Sequence, residues 1–94
     1  MELRFVWDDE KNRENIRKHD VSFEEAATIF CNFPFEVFYD PEHSSNEDRY
    51  IAVGKVRLGR LLLVVHCENR QGTEIRIISA RKVTPKERKI FYRR

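Results

Sequence analysis

Glycine is scarce in this chain, with three among 94 residues, and all three stand in or near turn signals. That scarcity excludes a P-loop and a dinucleotide fingerprint, because both need several glycines at fixed offsets to let backbone close around phosphate. No glycine-flanked serine forms a nucleophile elbow, so Ser44, Ser45 and Ser79 have no support as nucleophiles. Cysteine is scarcer still. Cys31 and Cys67 lie far apart in apolar surroundings, without C-x-x-C spacing, and read as two buried free thiols of a reducing compartment. His19, His43 and His66 are too dispersed to make a zinc set, so no metal and no cofactor is expected. No apolar run approaches the roughly twenty residues that a spanning helix needs. The start Met1-Glu-Leu-Arg-Phe-Val-Trp7 carries no apolar signal region, so a cytoplasmic protein without a membrane partner is expected.

What is present is enough for one core and a heavily solvated surface. Hydrophobic residues make up 40% and charged residues 36%, with seven phenylalanines, three tyrosines and one tryptophan. A second core would have too little apolar material, so residues 1–94 are read as a single domain. The net charge of +2 is modest, but its distribution is not even. Residues 76–94 hold Arg76, Arg81, Lys82, Lys86, Arg88, Lys89, Arg93 and Arg94 against one acid, Glu87, whereas residues 8–10 and 40–48 are rich in acids. The basic end is a phosphate-facing candidate. Complementing the negative end of a last helix accounts for Lys89, Arg93 and Arg94, but not for Arg76 or Arg81.

Periodicity gives the element order β, α, α, β, β, β, β, α. Leu3, Phe5 and Trp7 alternate with polar or smaller residues, as in a short strand with one apolar face. Asp8 or Asp9 caps a helix running to about Lys18, whose only large apolar residue is Ile16 beside Asn12, Asn15 and His19; a helix so polar should be exposed over most of its surface. Asp20 tolerates the left-handed conformation that ends a helix, and Ser22-Phe-Glu-Glu25 is a capping box that starts another, so two helices meet at a tight corner. Phe35–Tyr39 reads as a strand, and 40–48 as a polar loop. Three further strands, over 49–56, 60–67 and 73–81, are spaced as an antiparallel meander, with the apolar run Leu61–Val65 marking the central one. Thr84-Pro-Lys-Glu87 is a second capping box and opens the final helix. The expected architecture is α+β, with the helices against one face of a twisted antiparallel sheet.

Arg76 and Arg81 interrupt a strand carrying Ile75, Ile77 and Ile78, and a guanidinium in apolar surroundings needs either an internal carboxylate or an external phosphate. The loop His43-Ser-Ser-Asn-Glu-Asp-Arg49 collects an imidazole, two carboxylates and a guanidinium directly before a core strand, although a solvated turn with a surface ion pair explains it equally well. His66, at the end of the central strand, reads as a hydrogen-bonded structural histidine. Arginine-rich electrostatics with one or two acid–base groups suits RNA. Its own 2′-hydroxyl attacks, so a protein need only move protons and stabilise charge growing on the phosphate. DNA lacks that hydroxyl.

The chain also resembles the BrnT toxins of bacterial type II toxin–antitoxin systems. The resemblance rests on Phe5-Val-Trp-Asp8, Asn15-Ile-Arg-Lys-His19, Val21-Ser-Phe-Glu-Glu-Ala26, His43-Ser44, Glu47-Asp-Arg-Tyr50, Gly59-Arg-Leu-Leu62 and Ile75-Arg-Ile-Ile-Ser-Ala-Arg81, followed by Glu87-Arg88 and Tyr92. It implies a RelE-like fold, ribosome-independent cleavage of messenger RNA, growth arrest and neutralisation by a cognate antitoxin, BrnA, through which alone the pair touches operator DNA. Carried over residue by residue, it assigns His43, Glu47, Arg49, Arg76 and Arg81 to catalysis. Lys18, joined by Arg60 and Lys82 on the charge reading, is assigned to RNA binding. The chain departs from the family pattern at Asp20, where glycine is usual, and at Cys31-Asn32, where an acid is more typical; both departures read as structural. The competing reading is a nucleic-acid- or antitoxin-binding module that keeps the fold without cleavage.

Overall fold

The computed structural model describes residues 3–31, 35–44, 47–56 and 59–91. Its elements follow the expected order: β1 (Arg4–Val6), α1 (Asp9–His19), α2 (Phe23–Ala27) with a 3-10 turn over Thr28–Cys31, β2 (Phe35–Tyr39), β3 (Arg49–Lys55), β4 (Leu61–Glu68), β5 (Glu74–Lys82) and α3 (Pro85–Phe91). A further 3-10 turn spans Pro41–His43. The sheet runs β1-β5-β4-β3-β2, and the apolar β4 is central as expected. The sheet is mixed rather than wholly antiparallel. β1 pairs parallel with β5, Arg4 opposite Glu74, because the chain returns to that edge only after both helices and three strands have been laid down.

Caps fix the helices where the sequence places them. The Asp8 carboxylate accepts from the Glu10 and Lys11 amides at 2.9 and 3.0 Å, and Asp20 ends α1 at φ 58°. Ser22 accepts from the Glu25 amide at 3.0 Å to start α2. The polar α1 does not pack through its one large apolar residue, for Ile16 is 43% exposed. It packs through two buried asparagines. Asn12 accepts from the Phe23 amide at 2.8 Å and donates to Glu24 at 3.0 Å. Asn15 donates to the carbonyls of Val21 and Ala80 at 2.8 and 2.7 Å and accepts from the Ala80 amide at 3.1 Å. β1 covers β5 only at 74–76, so at Ala80 a side-chain amide supplies the donor and acceptor that a neighbouring strand would otherwise present.

The main core lies between α1, α2 and one sheet face, around Val21, Phe23, Ala26, Ile29, Leu62, Val64 and Ile77. Phe30 joins it to three rings, Phe5, Phe35 and His66, at centroid distances of 5.6, 5.5 and 5.0 Å. Gly54 is not near a turn but inside β3, where an added Cβ would stand 3.0 Å from the Cβ of Phe35 and 3.1 Å from that of Ile29. Glycine is there for close approach. Cys67 is buried as expected, whereas Cys31 is exposed at the end of its 3-10 turn.

The helices do not share one face. α3 crosses to the opposite side, where Phe91 and Val83 pack on a smaller cluster of Val53, Leu61 and Leu63. Phe91 sits 5.1 Å from the ring of Phe38. No helix is long and apolar enough to cross a membrane among the described residues.

Candidate active site

Residues 76 and 81 of a regular strand would point to opposite faces, since their separation is odd. A register shift between Val65 and His66 of β4 opens β5 by one residue, so that Cys67 faces Arg76, Val65 faces Ser79 and Leu63 faces Arg81. The bulge places both arginines on the face under α3, while Ile75, Ile77 and Ala80 turn to the main core. On the same face β3 contributes Arg49 opposite Cys67, Ile51 opposite Val65 and Val53 opposite Leu63. Three rows therefore cross the strands: Arg49-Cys67-Arg76, Ile51-Val65-Ser79 and Val53-Leu63-Arg81.

Each of the strand arginines has an internal carboxylate. Arg76 pairs with Glu47, both groups being nearly half exposed. Arg81 holds Glu87 through two parallel hydrogen bonds of 2.8 and 2.7 Å. Glu87 also completes the α3 capping box, accepting from the Thr84 amide at 3.0 Å while its own amide donates to the Thr84 hydroxyl at 3.1 Å. Arg81, helped by Thr84, pulls the Glu87 carboxyl down to about 2. Arg49 has no ion-pair partner among the described residues.

Glu47 stands where the loop meets β3. The hydrogen bond from Arg76 holds its carboxyl below the ordinary 4.5, and the Cys67 thiol and the charge of Arg49 act in the same sense. Burial pushes the Cys67 thiol up, and the neighbouring Glu47 charge adds to this, so the sulfur keeps its proton and donates it toward the carboxylate. The loop is pinned by Ser44, whose hydroxyl accepts from the Arg49 amide at 2.9 Å and donates to the Asp40 carbonyl at 2.5 Å. His43 lends its backbone to the turn before Ser44; its side chain and Tyr92 lie outside the described residues. Beside Glu47 and Arg76 is a hollow of about 150 Å³. Below α3 lies a groove of about 390 Å³, with Ile51, Leu63, Val65 and Phe91 as apolar lining and Arg49 and Arg81 among its polar groups.

Glu47, Arg49, Arg76 and Arg81 are thus brought to one face, and Lys18, Arg60 and Lys82 are not. Arg60 is tied to Glu25 and, at 3.2 Å, to the Asp20 carbonyl, which fastens the start of β4 to the α1–α2 corner. Lys18 and Lys82 are exposed at the end of α1 and of β5, on the side of the sheet that carries α1 and α2. His66 is wholly buried, with Nε2 at 3.1 Å from Glu68 and Tyr50 stacked at 5.8 Å, as a structural group. Glu87, Cys67 and Phe91 belong to the site face, yet the sequence marks Glu87 only as a cap and gives the other two no chemical signal. Among the described residues, no group of histidine, cysteine and carboxylate side chains is placed to hold a metal.

A family model described as the ribonuclease toxin BrnT of type II toxin–antitoxin systems matches residues 7–87. The crystal structure of the Brucella abortus ribonuclease toxin BrnT superposes with a TM-score of 0.67 over 87% of this chain and 97% of that one, at 20% identity, a likeness of fold. No curated protein sequence matches the chain. With the match spanning nearly every element from the end of β1 to the capping box of α3, the chain belongs to the BrnT family of ribonuclease toxins of type II toxin–antitoxin systems.

Proposed function

We propose that the protein is a metal-independent endoribonuclease that cleaves messenger RNA, arrests growth and is neutralised by a cognate antitoxin of the BrnA type, which alone carries the pair to operator DNA. The observation that carries this reading is the gathering of Arg49, Arg76, Arg81 and Glu47 on one sheet face. Arg76 and Arg81 hold the scissile phosphate and neutralise the charge that grows on it, and Arg49 supports the same oxyanion. Glu47, kept ionised by Arg76, accepts the proton of the attacking 2′-hydroxyl. His43, four residues earlier in the same loop, returns a proton to the departing 5′-oxygen. RNA must displace Glu87 from Arg81, exchanging one anion for another, and its phosphate shares the Arg76 guanidinium with Glu47, which stays beside it. Lys18 is one helical turn beyond Asn15, which grips Ala80, and Lys82 is two residues beyond Ala80, so both extend the cationic track around the end of β5. Arg60 acts on that track by holding the corner in place.

The test is cleavage of a labelled, structureless RNA in EDTA by antitoxin-free protein, beside Arg81→Ala. Removing Arg81 breaks a partly exposed ion pair, so the melting temperature should move little, by the equivalent of about 1 kcal/mol or less. Cleavage should fall about 10²- to 10³-fold, as when a charge-stabilising donor is removed. If neither protein cuts while both bind RNA, the enzyme reading fails and the non-catalytic binding module takes its place.

A further inference from the structure

We infer that the groove beneath α3 is a nucleobase subsite, in which one base beside the scissile phosphate stacks on Phe91 over the floor formed by Ile51, Leu63 and Val65. This rests on the ribonuclease reading and names a part of the substrate that it leaves unassigned. On β3 the row of Arg49 and the row of Val53, which is level with Arg81, are four residues apart, about 13 Å at roughly 3.3 Å per residue. Between them the row Ile51-Val65 carries no charge. A strand of RNA whose phosphates rest on the two cationic rows must put something over that apolar gap, and a nucleobase is the apolar part of RNA.

The dimensions agree. At about 390 Å³ the groove falls in the range of roughly 300–1,000 Å³ typical of small-ligand sites. Its polar lining includes Ser79, whose hydroxyl can meet the hydrogen-bonding edge of a base while the faces of the base contact carbon. Phe91 itself is held by Phe38, at 5.1 Å and a tilt of 42°, so its ring is placed before any ligand arrives. An antitoxin segment could fill an apolar groove, but the arginines on either side and the hollow beside Glu47 favour a polyanion that carries rings.

The test uses short 2′-O-methyl RNAs, which cannot be cut, each with one abasic position moved stepwise along the strand. Binding is read by fluorescence anisotropy with the whole chain. One position should weaken binding about tenfold, within the contribution of a stacked base, and its neighbours much less. In Phe91→Leu, which stays apolar but loses the ring, that position-specific loss should shrink to a few-fold. Should Phe91→Leu fail to melt like the parent, Val65→Thr, which changes the floor without changing its volume much, takes its place. A uniform abasic profile, or a loss unchanged in both variants, overturns the subsite. So does loss of antitoxin binding in Phe91→Leu together with a uniform RNA profile, which gives the groove to the protein partner. Cleavage in EDTA with a uniform profile sinks the subsite alone. No cleavage with a position-specific loss supports the subsite and sinks the ribonuclease reading alone.

Discussion

A carboxylate that takes a proton from a hydroxyl must itself be ionised, and Glu47 is kept so by the arginine it touches. Its folded value lies below 4.5, so the acid limb of the cleavage profile should fall below pH 4.5, where an ordinary carboxylate would already be protonated. Arg76→Ala should move that limb upward, because the protonated form is no longer disfavoured. Glu47→Gln should lower single-turnover cleavage about 10²-fold, while RNA binding tightens because Arg76 loses its internal competitor. A limb that stays fixed in Arg76→Ala would mean that another group takes the proton. Arg76 and Arg81 were legible as cations in need of partners from their apolar neighbours alone. Their partners were not, since Glu47 is 29 residues from Arg76 and Glu87 reads equally well as a cap.

At the scale of elements, α1 shows how a helix with almost no apolar side chain can still be bound to a sheet. Asn15 alone satisfies both backbone groups of Ala80 and a carbonyl of the α2 approach, all buried. Asn15→Ala should therefore destabilise by about 3 kcal/mol, more than one exposed hydrogen bond is worth, because several buried groups are left unpaired. A urea titration that shows less than about 1 kcal/mol would mean that water replaces the amide. The Thr84 capping box, the left-handed Asp20 and the central Leu61–Val65 strand were readable from local chemistry and stand where they were expected, whereas the Ser22 box is half formed, because Glu25 turns its carboxylate to Arg60. The exposure of Ile16, the parallel edge and the crossing of α3 were not. They depend on which strand lies next to which, and hydrophobic period carries no record of that. The bulge in β5 is of the same kind. A pattern read with period two puts Arg76 and Arg81 on opposite faces, and one extra residue reverses the answer.

For the whole molecule, a net charge of +2 understates what a polyanion would meet. Three arginines on one face imply that log affinity for single-stranded RNA falls with log salt at a slope of about −2, at roughly 0.7 per phosphate neutralised. Lys18 and Lys82 steepen it by about 1.4 where they meet phosphate, so replacing both by alanine should return the slope to about −2. An unchanged slope in anisotropy titrations would end the RNA track at the sheet face. The sheet that displays this charge is closed by strands from opposite ends of the domain, Arg4 joining Glu74 across 70 positions. Synthesis proceeds from the first strand to the last, so β1 has no partner until β5 has been made, and the arginine rows, to which β5 contributes two members, cannot assemble earlier. A nascent chain thus leaves the ribosome without its arginine face for most of its length, and the last strand made is the one that gives the molecule its affinity for anions.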